Sequence, residues 1–126
     1  MTRRLRPLAA AIAVSVGCGT RVSDGDEASM DPVVVAPQEF TVDLENDRVR
    51  VLRVRVEDGT EPGPHSHPER VVVFLTPCTW LDRAEDGALL EETNLAGEVH
   101  WMGPIVHEGG PNQVKDTCEL LEIELK

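Results

Sequence analysis

From residue 33 onward, apolar and polar positions alternate in short stretches separated by turn residues. No stretch sustains the 3.6-residue period of an amphipathic helix. VVVA at residues 33–36 and FTVDL at 40–44 read as strands, and ENDR after them as a turn. RVRVLRVRV at 48–56 is the clearest strand of the chain. Its arginines alternate with valine, so one face is wet and one buried, and Arg48, Arg50, Arg53 and Arg55 are expected in solvent. The Val51-Leu52 doublet breaks that phase and predicts a bulge or a change of face. EDGTEPGP is a tight loop, and RVVVFLT at 70–76 reads as a strand buried on both faces. TWLDR and LLEET flank the turn AEDGA, AGEVHWM is a further strand, and GPIVHEGGPN is a loop leading into another. In the closing TCELLEIELK, Leu121, Ile123 and Leu125 alternate with Glu122 and Glu124, giving one apolar and one polar face. Eight or nine short strands predict an all-β sandwich or small barrel.

Composition narrows the picture. The 126 residues fit one domain. Aromatic residues are confined to Phe40, Phe74, Trp80 and Trp101, so the core is aliphatic and offers no ladder for stacking bases. The formal charge is −11. Without residues 1–17, which hold Arg3, Arg4 and Arg6 and no acid, 9 basic residues face 23 acidic ones, a balance of −14. Such a surface repels phosphate backbones and argues against a nucleic-acid partner.

Residues 1–17 combine a positive start, an apolar run from Leu8 to Val16 and a small residue before Cys18. This is the layout of a signal peptide, and the run is shorter than the roughly 20 residues that span a bilayer. A structural helix is the competing assignment. The Gly17-Cys18 end resembles a bacterial lipoprotein signal, although Ser15 stands where leucine is usual. That resemblance implies lipidation of Cys18 and a periplasm-facing, membrane-anchored protein. Ordinary cleavage nearby would instead release a secreted one. Residues 18–32 are polar and aperiodic and read as a flexible tether, leaving 33–126 as the folded domain.

Two of the four histidines, His65 and His67, lie one residue apart beside a strand. Side chains two apart share a strand face, so the pair can hold a metal or simply line a polar loop. Gly59, five residues, then H-x-H, followed later by Gly97, His107 and Asn112, resembles the two motifs of the cupins. Met102 and Pro104 replace the usual Pro and Gly of the second motif, and Asn112 comes one place late. The resemblance covers residues 40–126 and implies a jelly-roll barrel of the small single-domain type. It implies that His65, His67 and His107 converge on a divalent metal (Zn, Fe, Mn, Ni or Cu) in a barrel that takes a small-molecule ligand. A homodimer is also implied by analogy. A metal-free, non-catalytic ligand-binding module on an envelope tether is the alternative.

The family's glutamate ligand is absent, because positions 71 and 72 are both valine. Glu69 shares the phase of the two histidines and is a candidate replacement from a shallower level, or a solvent residue. Trp101 is a candidate pocket wall with His100 turned out. Asn112 is a candidate pocket residue, and Glu108 can orient an imidazole or lie in solvent. With Cys18 assigned to lipid, Cys78 and Cys118 remain. The cupin topology implies that they sit on neighbouring antiparallel strands and pair, with two separate buried thiols as the competing arrangement.

Overall fold

The structure is a computed structural model that describes residues 29–126; the expected signal peptide, Cys18 and tether residues 18–28 lie outside them. A single helical turn, α1 (Pro32–Val35), precedes nine strands: β1 (Phe40–Glu45), β2 (Val49–Val56), β3 (His65–His67), β4 (Arg70–Phe74), β5 (Cys78–Arg83), β6 (Leu89–Asn94), β7 (Val99–Met102), β8 (Ile105–His107) and β9 (Cys118–Leu125). Among the described residues no helix is long and apolar enough to cross a membrane.

The valines of α1 suggest a strand, and that expectation fails because of the two residues before them. Asp31 caps the turn by accepting a hydrogen bond from the Val33 N–H at 3.1 Å, and Pro32 sets the first helical φ. The segment is also docked. The Met30 carbonyl accepts from the Ser66 N–H at 2.8 Å, and Asp31 pairs with Arg50 at 2.9 Å.

Five antiparallel strands form the main sheet in the order β1-β2-β9-β4-β7, faced by the ribbons β3-β8 and β5-β6. The core sits between these layers and is aliphatic: Leu52, Val54, Val56, Val72, Val114 and Leu120, with Phe40 and Phe74. The strand periodicity is as expected, but several faces are reversed. On β2, residues 50, 52, 54 and 56 share the inner face, so Arg50 points inward rather than into solvent. The register shift lies in β1, between Val42 and Leu44, opposite the Val51-Leu52 doublet. On β9 the inner residues are Cys118, Leu120, Glu122 and Glu124. The apolar partners Leu121, Ile123 and Leu125 lie on the outer face. There Leu44, Val51, Ile123, Val71 and Trp101 line up across all five strands. The outer face of the sheet is thus itself apolar, which is why hydrophobicity alone does not identify the inside.

Cys78 and Cys118, each at the start of a strand and fully buried, form a disulfide with Cα atoms 5.1 Å apart.

Candidate metal centre

Alternation and register together build the site. His65 and His67 share one face of β3, and the β3-β8 ladder sets His107 directly opposite His65. The three imidazoles therefore gather: ring centroids are 5.0 Å apart for His65–His107, 5.1 Å for His65–His67 and 5.6 Å for His67–His107. One ligand nitrogen from each ring lies within 4.8 Å of the others. Phe40 packs against His65 and His67 at 5.3 and 5.6 Å and backs the cluster with an apolar ring.

Two of the tautomers follow from the partners. His65 Nδ1 is 2.8 Å from the Gly63 carbonyl, which only accepts, so Nδ1 carries the proton and Nε2 keeps a lone pair. His67 Nδ1 is 3.0 Å from both Glu124 Oε1 and Glu122 Oε2, again acceptors, so Nδ1 carries a proton and in the neutral ring Nε2 is the free nitrogen. His107 is half-buried. Burial first, then the charges of His65, His67 and Arg70, pull its pKa from 6.5 down to about 4, so it is a neutral ligand at ordinary pH.

The histidines open into a cavity of about 440 Å³, the size of small-ligand sites in general. Its walls are largely apolar, with Val54, Val72, Phe74, Leu120 and Ile105, and it carries a few polar groups. Arg70, on the inner face of β4 and 5 % exposed, donates to the Gly103 carbonyl at 3.2 Å, while its Nε has no hydrogen-bond partner. Glu39, 4 % exposed, accepts from Asn112 Nδ2 at 3.0 Å through Oε2, and its Oε1 has no partner. Arg70 Nε lies 3.2 Å from Glu122 Oε1, so the unused hydrogen-bonding capacity of this wall is that of Glu39 Oε1.

The other expected site residues divide. Asn112 lines the cavity and ties the loop after β8 to Thr60 Oγ1 in the loop after β2, at 2.8 Å, and to Glu39 just before β1. Glu69 does not replace the family glutamate. It is exposed, and its carboxylate accepts from Trp101 Nε1 at 3.2 Å on the outer surface. Trp101, 61 % exposed, is therefore no pocket wall. The phase of β7 is opposite to that expected: His100 packs on Phe74 at 5.4 Å and lines the cavity, as does Trp80, whose Nε1 donates to Asn94 at 3.1 Å. Glu108 is exposed and sits at the rim.

Sequence reasoning missed Glu39, Arg70, Glu122 and Glu124. Each is charged, and a charged residue is by default a surface residue. For Arg70, Glu122 and Glu124 the available signal was pairing: an arginine and two alternating glutamates on the two strands that the cupin topology makes neighbours.

The fold is that of known cupins. A cupin domain from Bordetella pertussis Tohama I is 28% identical over 69% of this chain and 91% of its own, with a TM-score of 0.53. A cupin-2 domain protein from Shewanella frigidimarina is 19% identical over 69% and 79%, with a TM-score of 0.45. The polyketide cyclase RemF from Streptomyces resistomycificus is 21% identical over 64% of this chain and 56% of its own, with a TM-score of 0.42, and no chemistry is carried over from it. No family model matches the sequence, and no curated protein does. The described residues have a small cupin fold, with a histidine cluster able to hold an ion.

Proposed function

We propose that this cupin binds one divalent metal through Nε2 of His65, Nε2 of His67 and a ring nitrogen of His107, and holds a small molecule in the adjoining cavity. The observation that carries the reading is the pair of occupied Nδ1 atoms. Both β3 imidazoles are held by protein acceptors in the tautomer that frees Nε2, which is how metal-ligating histidines are oriented. The fit is good. Tetrahedral nitrogens about 2.1 Å from zinc lie about 3.4 Å apart, within reach of a cluster already inside 4.8 Å. Bound there, a metal would polarise a ligand oxygen. The chain's own contribution is a largely apolar enclosure in which Glu39 Oε1 and Glu122 Oε2 are acceptors without a hydrogen-bond partner, while Arg70 Nε faces Glu122 Oε1 at 3.2 Å. A small molecule carrying a hydrogen-bond donor fits those acceptors.

Metal analysis of protein purified without chelator tests the reading. The expected result is one zinc, iron, manganese, nickel or copper per chain, lost in His65→Ala and His107→Ala. No metal in the wild type, together with ligand-induced thermal stabilisation, would instead favour the metal-free binding module. The absence of a first-motif glutamate, with valine at both 71 and 72, supports that second reading.

The same proposal includes export and lipidation at Cys18. The layout of residues 1–18 supports it, and so does the Cys78–Cys118 disulfide, a bond of oxidising compartments. Cys18→Ser is expected to move the protein from the membrane to the soluble fraction in its bacterial host. An unchanged distribution would rule the lipid anchor out.

A further inference from the structure

Of Val71 and Val72, the two positions where the cupin pattern places a metal-binding glutamate, Val72 lies on the inner face of β4, and the residue opposite it on β9 is Glu122. The carboxylate missing from one strand thus arrives from the next, on the inner face and 8 % exposed. Two residues on, Glu124 follows on the same face at 2 % exposure. Both reach His67 Nδ1, Glu122 through Oε2 and Glu124 through Oε1, at 3.0 Å each.

This arrangement is unusual in its accounting of protons. One N–H serves one strong acceptor at a time, and the hydrogen bond goes to Glu124. Glu122 Oε2 is left buried without a hydrogen-bond partner. Burying two carboxylates against a single N–H is costly unless positive charge stands nearby. Two arginines supply part of it. Arg50 Nη2 lies 2.7 Å from Glu124 Oε2, and Arg70 Nε lies 3.2 Å from Glu122 Oε1. Arg50 is also held by Asp31. Asp31, Glu122 and Glu124 against Arg50 and Arg70 are three carboxylates against two guanidiniums, an excess of one negative charge beside the His67 ring.

We infer that Glu122 and Glu124 are positioning residues for the metal. They fix His67 as the Nδ1–H tautomer with Nε2 presented to the ion, and they supply through that ring the negative charge that the missing ligand carboxylate would have given directly. The inference rests on the three-histidine metal reading. It adds that the acidic pair sets how tightly the ion is held. His67, Glu122 and Glu124 themselves form a second group of potential ligand atoms, but the three histidines come together without the glutamates, so neither glutamate needs to touch an ion held there.

Zinc titration of the full chain by calorimetry, with a competing chelator, tests it. Glu122→Gln and Glu124→Gln keep the shape and remove the charge, and each is expected to weaken zinc binding by about tenfold to a hundredfold. Glu119→Gln, on the same strand but paired with the exposed Arg55, is expected to bind as the wild type does. Nitrogen-15 NMR of the wild type, which requires no variant to fold, is expected to show His67 protonated at Nδ1 before and after zinc, with only Nε2 shifting on loading. A wild type that binds no zinc overturns the metal reading and this inference with it. A wild type that binds while both glutamine variants bind equally well overturns the inference alone. Loss of the Nδ1 proton on zinc loading also overturns it, because the ion would then sit among the carboxylates themselves.

Discussion

His107 occupies a position where its surroundings oppose a positive charge. Burial is the larger cause, and repulsion from a proton on His65 or His67 and from Arg70 adds to it. With a folded pKa of about 4 against 6.5 when free, the folded protein binds fewer protons than the unfolded chain between those values. The stability His107 contributes is complete above pH 6.5 and is lost as pH falls through 4. Glu124 acts in the same direction. Burial raises its pKa, but hydrogen bonds from His67 and Arg50 prevail and hold it below 4.5, so its contribution also fades as pH falls through the lowered value. The metal-free protein should therefore lose urea resistance steadily from pH 7 to pH 4, and His107→Gln should make that loss shallower. Proton NMR should show the His107 midpoint near 4; a midpoint at or above 6 would refute the account. At this scale the three histidines were legible because spacing and strand phase are written in the sequence. The groups around them were not, since whether Glu122 or Arg70 lies inside depends on a partner contributed by another strand.

Strand existence was readable nearly everywhere, but strand facing was not. Alternation says that a strand has two faces, and only packing says which is inner. β9 and β7 illustrate this. Their apolar residues Leu121, Ile123, Val99 and Trp101 cover the outside of the sheet, while Glu122, Glu124 and His100 face in. The loops that aim the elements depend on glycine at one point in particular. Gly109 has φ +88°, and a Cβ there would lie 3.0 Å from the Pro62 carbonyl oxygen, in the loop leading to His65. Gly87, in the turn between β5 and β6, has φ +85° with open space around it. Gly87→Ala should therefore cost only the left-handed strain, about 1–2 kcal/mol. Gly109→Ala should cost more, because it also pushes the two histidine-bearing loops apart. Chemical denaturation measures the first difference. Zinc affinity provides the second check: it should fall in Gly109→Ala and hold in Gly87→Ala.

At the scale of the whole molecule, the disulfide joins the two sides of the barrel. It ties the start of the β5-β6 ribbon to the start of β9 and closes a segment that contains β5 through β8, including His107. The pairing was legible only through the cupin topology, since spacing alone does not tell a bridge from two separate thiols. Its sequence separation of 40 implies a stabilisation of about 4 kcal/mol from the restricted unfolded chain. Both cysteines are fully buried, so a reductant should reach the bond only when the domain opens. Native protein should then keep the bridge for long periods in dithiothreitol and lose it quickly in dithiothreitol with urea. Once reduced, the domain should melt on the order of 15 °C or more lower. The histidine cluster draws on both ends of the closed segment, with β3 before it and β8 inside it. Zinc should therefore slow the reduction of the wild type by favouring the closed state, and should have no such effect on His65→Ala. Rapid reduction of the native, zinc-loaded protein would show that the bridge and the metal centre do not belong to one cooperative unit.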